Sequence, residues 1–301
     1  MKYAIIDIGS NSIRMSVYRY DEEDGNVYIQ FKDKIMAGLA GHIEEEILTD
    51  KGIQKACNAL KIYKRVLQNL NISNIYPFAT ASLRNIENSE SAKEKIKQET
   101  GFEIDIISGK QEAELDFEGA TKILDIDKGI LVDIGGGSTE LVFYENYKIL
   151  EAVSIPVGSL NMYKRHVKNL IPTKEERKLI SKDVKKEIEK LNIAMVEGYN
   201  NMCGVGGSIR ATRKLSVELL GNDKLNKEVS VEEVKLLLEA FEAEDKVVID
   251  KILQIVPERI HTIIPGMIIL STVARKFGTK RIYISSYGAR EGYLYKNVLG
   301  K

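Results

Sequence analysis

DIGSNSIRMSVY occupies residues 7–18 and DIGGGSTELVFY occupies residues 133–144, each directly after a hydrophobic run. Both copies follow one plan. A strand (Tyr3–Ile6; Gly129–Val132) ends in Asp-Ile-Gly, a turn of small residues follows, and a second strand leaves (Ile13–Tyr20; Glu140–Tyr144). The pattern predicts two β-hairpins whose turns are rich in glycine and hydroxyls. Such turns let the backbone approach a ligand and let successive N–H groups converge on an anion. One copy alone would read as a tight turn. Two copies, each with an aspartate at the strand end (Asp7, Asp133), predict two similar α/β halves facing each other across a cleft. A carboxylate beside a phosphate-binding turn is the usual way to hold a hard cation such as Mg²⁺.

The remaining chain alternates helix and strand. Thr49 is an expected N-cap, followed by Ile53, Cys57, Leu60, Tyr63, Leu67 and Leu70 at helical spacing. Asn74–Ala79 reads as a strand, Ser89 opens a helix that Gly101 ends, and Phe102, Ile104 and Ile106 alternate as a strand. A helix is expected from about Lys110 to Leu124, with IDKG (126–129) as the junction between domains 1–125 and 126–301. Thr173–Glu176 and Ser230–Glu233 read as capping boxes. The first should start a helix reaching about Glu197, with Gly198 as its stop. GVGGS (204–208) lies between a strand and a helix expected over Ile209–Leu220; Pro265–Phe277 reads as helix, Arg281–Ser286 as strand and Arg290–Leu299 as a closing helix.

Composition narrows the function classes. The 301 residues suit two modest domains, and 44% hydrophobic content suffices for real cores. Lys+Arg and Asp+Glu are 44 each, which argues against a broad nucleic-acid-binding surface but leaves room for a local anion groove. Cys57 and Cys203 form no CxxC pair and read as small buried hydrophobes. Met1-Lys2-Tyr3 runs straight into AIIDIG, too short for a signal peptide, and no apolar run approaches bilayer length. The expectation is a soluble, cytoplasmic protein without membrane or nucleic-acid partners.

DIGSNS, DIGGGS and GVGGS, in that order, resemble the actin/hexokinase/Hsp70 superfamily, whose members carry two RNase-H-like domains with a phosphate site between them. The more detailed resemblance is to the Ppx/GppA family of exopolyphosphatases and guanosine pentaphosphate phosphohydrolases, and it covers essentially the whole chain. DIGSNSIR (7–14) is similar to that family's first phosphate loop, Thr80–Arg84 with Asn88 to its second motif, and SGKQEA (108–113) to SGxEEA. DIGGGSTEL (133–141) is similar to its most specific signature. Pro156–Gly158, Gly204–Ser208, Arg259 with Pro265-Gly266, and Gly288–Gly292 also fit.

The resemblance implies roles. Glu112 would be the base that activates water, with Glu140 and Arg84 as further catalytic groups. Asp133 and Glu140 would hold Mg²⁺ or another divalent cation. Ser10, Asn11, Ser12, Arg14, Thr80, Gly136, Gly137, Ser138, Thr139, Gly207, Ser208 and Arg259 would bind phosphate. By position alone Glu112 reads as a solvated glutamate favoured by the helix dipole; its motif reverses that reading. The chain departs from the family at Glu114, where an arginine is usual, and at His261, where an aspartate is usual. A basic run (Lys164, Arg165, His166, Lys168, Lys174, Arg177, Lys178, Lys182, Lys185, Lys186) reads as the solvated face of a long helix, with a path for a polyphosphate tail as the alternative.

The implied activity is exopolyphosphatase, releasing orthophosphate from inorganic polyphosphate, with guanosine pentaphosphate as a further substrate. Two alternatives stay open: an ATP-dependent small-molecule kinase of the same superfamily, and a non-catalytic sensor of guanosine tetra- or pentaphosphate. An apolar helix face in the second domain leaves a homodimer open.

Overall fold

Each hydrophobic run ahead of a DIG signature is an interior strand of its own sheet. The computed structural model describes residues 1–191, 199–242 and 246–301. They fall into two units, Met1–Glu112 and Ala113–Lys301.

In the first unit, β1 (Lys2–Ile8), β2 (Ile13–Tyr20) and β3 (Val27–Ile35) form an antiparallel meander. A separate two-residue hairpin, β4 (Ile43–Glu44) and β5 (Ile47–Leu48), precedes α1 (Asp50–Asn69). β6 (Ile75–Ala79) joins β1 in parallel and β7 (Asp105–Ile106) joins β6, giving the order β3-β2-β1-β6-β7. Thr49 caps α1 through the Gly52 N–H at 3.3 Å, and Ile53, Cys57, Leu60, Tyr63 and Leu67 form the buried stripe. They meet Ile6, Ile8, Ile13, Met15 and Val17 in one core. Two further helices, α2 (Ala81–Arg84) and α3 (Ser89–Thr100), follow β6.

The second unit repeats this order. β8 (Lys128–Ile134), β9 (Thr139–Glu145) and β10 (Lys148–Ile155) are antiparallel neighbours. β11 (Asn201–Val205) is parallel to β8, and the last two strands are β12 (Glu228–Ser230) and β13 (Arg281–Ile284). The sheet order is β10-β9-β8-β11-β13-β12, so β12 is an addition at the far edge. The sequence pattern alone does not reveal β3 or β10. Both are edge strands, β3 mostly exposed and β10 of mixed burial, and each pairing carries a register irregularity, which erases the clean alternation a half-buried strand shows.

α4 (Gly109–Thr121) carries the SGKQEA motif. The division by packing falls within it at 112/113, whereas the sequence reading sets the junction at 126–129. Ala113, Phe117 and Ala120 pack with Leu131, Val142, Tyr144 and Val205, which groups most of this helix with the second sheet. The other helices of this unit are α5 (Ser159–His166), α6 (Lys174–Glu189), α7 (Gly206–Leu220), α8 (Val231–Ala240), α9 (Lys246–Ile255), α10 (Ile263–Lys276) and α11 (Ala289–Tyr293). The capping boxes at Thr173/Glu176 and Ser230/Glu233 are formed. α6 ends at Glu189, earlier than the expected Glu197; Glu197 and Gly198 themselves lie outside the described residues. The closing helix is shorter than expected: α11 ends at Tyr293 and a wider helical turn spans Leu294–Val298. α7 begins at Gly206 rather than Ile209, so Gly206-Gly207-Ser208 is the first turn of a helix and not a loop before one.

Cys57 and Cys203 are free and buried. Burial pushes the Cys57 thiol up to about 11. The Cys203 thiol is also raised, by burial and then by the charges of Asp116 and Asp133. Both are poor nucleophiles. Among the described residues, no helix is long and apolar enough to cross a membrane.

Candidate functional site

The two signature hairpins close in the same way. The Gly9 N–H donates to the Ser12 carbonyl at 3.2 Å, and the Gly135 N–H donates to the Ser138 carbonyl at 3.0 Å. Ladder register places Asp7 opposite Arg14 in the first and Asp133 opposite Glu140 in the second. Residues directly opposite in an antiparallel pair share a sheet face. The first hairpin therefore presents a carboxylate with a guanidinium, and the second presents two carboxylates.

The turn carbonyls are engaged from behind in both units. In the first, Gly38 N–H donates to Asn11 O and Ala40 N–H to Ser10 O, both at 2.9 Å. In the second, the start of α5 does this. Ser159 donates to Gly135 O through its N–H (2.9 Å) and its hydroxyl (3.0 Å). The N–H groups of Leu160 and Asn161 donate to Gly136 O at 3.0 Å. The Asn161 Nδ2 donates to Gly137 O at 2.8 Å. In a trans peptide the C=O of one residue and the N–H of the next point in opposite directions. The N–H groups of Gly136, Gly137 and Ser138 consequently point away from α5, a three-donor arrangement suited to an anion.

Glycine is required at two supporting positions. A Cβ on Gly158 would fall onto Gly136 C and O and Gly137 N, which is why the PVG segment ends as it does. Gly206 has φ +88°, and its Cβ would collide with the Asp133 carboxylate. Asp133 thus sits against the first residue of α7. Arg259 is brought to the next one, its guanidinium lying over the Cα of Gly207. An aspartate, an arginine and a helix N-terminus, each from a different motif, are brought together there.

Other expected contacts are held differently. The Thr139 hydroxyl donates to Val157 O at 2.5 Å and is fully buried, so it braces β9 against the PVG segment. Ser208 is 1% exposed and lies under Gly266, with its hydroxyl buried and without a hydrogen-bond partner among the described residues. Glu140, also 1% exposed, accepts from Ser138 Oγ at 2.7 Å and Ser154 Oγ at 2.8 Å. Its carboxyl is buried beneath the turn and accepts from two hydroxyls.

In the first unit, Ser108 and Gln111 cap α4 reciprocally: Gln111 N–H donates to Ser108 Oγ at 3.2 Å, and Ser108 N–H to Gln111 Oε1 at 2.8 Å. This fixes the helix start that carries Glu112, 8% exposed. Arg84 Nη1 donates to Glu112 Oε2 at 2.7 Å and to Ile107 O at 3.2 Å. Sequence motifs 28 residues apart are thereby joined as one ion pair. Thr80 and Ser10 are buried, and Arg14 Nε donates to Ser12 Oγ at 3.1 Å. Asn88 holds both the N–H and the carbonyl of Leu48, a bracing role for the β4–β5 hairpin.

The two departures from the family pattern have definite settings. Glu114 pairs with Lys296 at 3.1 Å. Two residues along α4 from Glu112, it lies well around the helix, since successive residues turn by about 100°. The His261 ring lies 4.9 Å from that of Tyr163 on α5, a tilted aromatic pair. The basic run divides. Lys182, Lys185 and Lys186 are exposed on α6, as a solvated face requires. Arg177 does not fit that reading: half-buried, it donates to Pro172 O, Leu238 O and Phe241 O and ties α6 to the end of α8. Its aliphatic stem and five donors suit it to satisfy carbonyls at a helix end.

Among the described residues, no three Cys, His, Asp or Glu side chains gather as a metal cage. Asp133 and Glu140 on one sheet face nonetheless supply hard oxygen donors. This set fits Mg²⁺, which keeps several waters and takes phosphate oxygens rather than a full protein cage.

Asn161, Ser154 and Ser159 are the site residues that sequence reasoning missed. The Gly158-Ser-Leu-Asn161 stretch is a legible helix start, but its contact with a turn 24 residues earlier is not.

Comparison with known proteins agrees with this architecture. The sequence matches the Ppx/GppA phosphatase family over residues 19–301. A guanosine-5'-triphosphate,3'-diphosphate pyrophosphatase of Vibrio cholerae is 27% identical over 301 residues, covering 98% of this chain and 59% of the relative. A putative exopolyphosphatase of Haemophilus influenzae is 26% identical, covering 97% of this chain and 90% of that protein. The crystal structure of the Aquifex aeolicus Ppx/GppA family member is similar at TM-score 0.80 and 27% identity, covering 100% of this chain and 98% of that one. The chain thus spans less than two thirds of the length of the Vibrio relative but nearly all of the other two. With the family match extending over nearly the whole sequence, and with two mixed α/β units of the actin-like type, this chain belongs to the Ppx/GppA phosphatase family.

Proposed function

We propose that this protein hydrolyses the terminal phosphoanhydride bond of inorganic polyphosphate and releases orthophosphate, with guanosine pentaphosphate as a second substrate losing its 5′ γ-phosphate. The observation that carries the reading is the Arg84–Glu112 pair at the capped start of α4. It orients a nearly buried carboxylate, as a general base toward water needs. An oriented carboxylate can take a proton from water or from an acceptor hydroxyl; membership of the Ppx/GppA phosphatase family favours water. Glu114 pairs with Lys296 and lies around the helix from Glu112, which supports the catalytic reading over the non-catalytic sensor.

In this reading the N–H groups of Gly136, Gly137 and Ser138 receive the terminal phosphoryl oxygens, and Arg259 at the start of α7 adds a guanidinium. Glu112 takes a proton from the attacking water. The new P–O bond forms as the bridging P–O bond breaks, and the shortened chain leaves as the anion. Asp133 and Glu140 would hold Mg²⁺, which when bound neutralises charge on the phosphoryl oxygens. In this reading Arg14 and Ser12 of the first hairpin would also bind phosphate.

Phosphate release from long-chain polyphosphate, guanosine pentaphosphate and ATP, measured side by side with Mg²⁺, tests the proposal. Release from polyphosphate that disappears in Glu112→Gln is the expected result. Tight binding with no release from any of the three would overturn it in favour of the sensor.

A further inference from the structure

Building on the reading of the 135–138 turn as a phosphate site, we infer that Asn161 is a positioning residue that aims the Ser138 N–H at the substrate. The turn is Gly-Gly-Gly-Ser, whose glycines constrain the backbone least of all residues. Its peptides must therefore be oriented by outside contacts. Gly136 O is held by two backbone N–H groups of α5, which almost any sequence would supply. Gly135 O is held by the Ser159 backbone as well as its hydroxyl. Gly137 O is different: its contact from α5 comes from the Asn161 side chain, at 2.8 Å. That carbonyl belongs to the peptide whose N–H is that of Ser138. Fixing one end of the peptide fixes the direction of the other.

The amide is itself locked. Asn161 Oδ1 accepts from Gly158 N–H at 2.7 Å, and Nδ2 donates to Pro156 O at 3.1 Å as well as to Gly137 O. Gly158 N–H can only donate and both carbonyls can only accept, so a single amide orientation satisfies all three. The first hairpin reaches the same end without a side chain. Asn11, the counterpart of Gly137, has its carbonyl held by the Gly38 backbone N–H. The two turns are thus held alike, but only the second depends on a side chain at this position, and substitution can test it selectively.

The test uses the full chain with Mg²⁺ and inorganic pyrophosphate as probe, in Asn161→Asp and Asn161→Ala. Asn161→Asp keeps the acceptor for Gly158 but turns a carboxylate oxygen toward the Gly137 carbonyl. Asn161→Ala removes the donor without adding charge and serves if the first variant does not fold. Pyrophosphate affinity by calorimetry should fall about tenfold, the scale of one well-made hydrogen bond. KM for polyphosphate should rise by a similar factor, with kcat falling less. In amide NMR spectra, the shift of the Ser138 resonance on adding pyrophosphate should be lost while those of Gly136 and Gly137 persist. A merely structural role would lower Tm and move all three together. Affinity and Ser138 shift equal to the parent's in both variants would overturn the inference and leave the phosphate site intact. No shift at any of the three amides in the parent protein would instead sink the reading of the turn itself, and the role of Asn161 with it.

Discussion

Asp133 faces Glu140 across the β8–β9 ladder, at the register position where the first hairpin sets Asp7 against Arg14. One duplicated backbone thus carries opposite electrostatics. The carboxylate–guanidinium pair is close to neutral and suits phosphate. The carboxylate pair would suit a hard divalent cation.

Glu140→Gln separates charge from hydrogen bonding. A glutamine carbonyl still accepts from Ser138 and Ser154, but the charge is gone. Phosphate release should fall roughly 10–100-fold, the usual cost of disturbing a metal site, and more Mg²⁺ should be needed for half-maximal rate. An unchanged Mg²⁺ titration would mean Glu140 serves only as an acceptor for the two hydroxyls.

Arg84 and Glu112 should behave as a unit. Glu112→Gln is expected to lower kcat about 10²–10⁴-fold while pyrophosphate binding persists. Arg84→Ala should lower kcat, since it removes the group orienting Glu112. The double variant should lose much less than the product of the single losses. Additive losses in steady-state kinetics would show that the 2.7 Å pair has no part in orienting the base.

Gly158→Ala isolates a packing effect. Gly158 has φ −123° and ψ 164°, which alanine adopts readily, so the backbone is not strained by the change. The added methyl would instead push into Gly136 and Gly137. Overpacking of this kind costs about 1–3 kcal/mol. Thermal unfolding should show a Tm lower by roughly 2–10 °C, together with weaker pyrophosphate binding. An unshifted Tm and affinity would contradict the close approach.

Glu114→Arg should leave turnover within about twofold, because the Glu114–Lys296 pair is partly exposed and such pairs contribute at most about 1 kcal/mol. A large gain in polyphosphate turnover would show that Glu114 repels the substrate after all.

Acid should loosen α5 from α6. Asp183 accepts from Arg165 Nη1 at 3.0 Å and pairs with His166 Nε2 at 2.8 Å. Burial alone would raise its carboxyl, but the hydrogen bonds from His166 and Arg165 outweigh this and hold it below the ordinary 3.8. A carboxyl lowered in the folded state stabilises the protein above its unfolded value and loses that contribution as pH falls through the folded one. Stability should therefore drop below about pH 4, and Asp183→Asn should drop less. Thermal unfolding at pH 6 and pH 3 compares the two; equal losses would remove Asp183 from the acid response.

Much of this protein is legible in its sequence for local reasons. The duplicated Asp-Ile-Gly hairpins, the caps at Thr49, Thr173 and Ser230, and the stripe from Ile53 to Leu67 each depend on residues a few positions apart. Side-chain periodicity and capping chemistry act at that range. The edge strands β3 and β10 escape it, because register irregularities and their uneven burial blur their period. What only the tertiary structure decides is which distant groups meet. Arg84 reaches Glu112, Asn161 reaches Gly137, Arg259 lies on Gly207, and Glu114 turns to Lys296. None of these partners is written in spacing. Each is selected when the sheets and helices close over their cores, and buried polar groups then take the partners left within hydrogen-bonding reach.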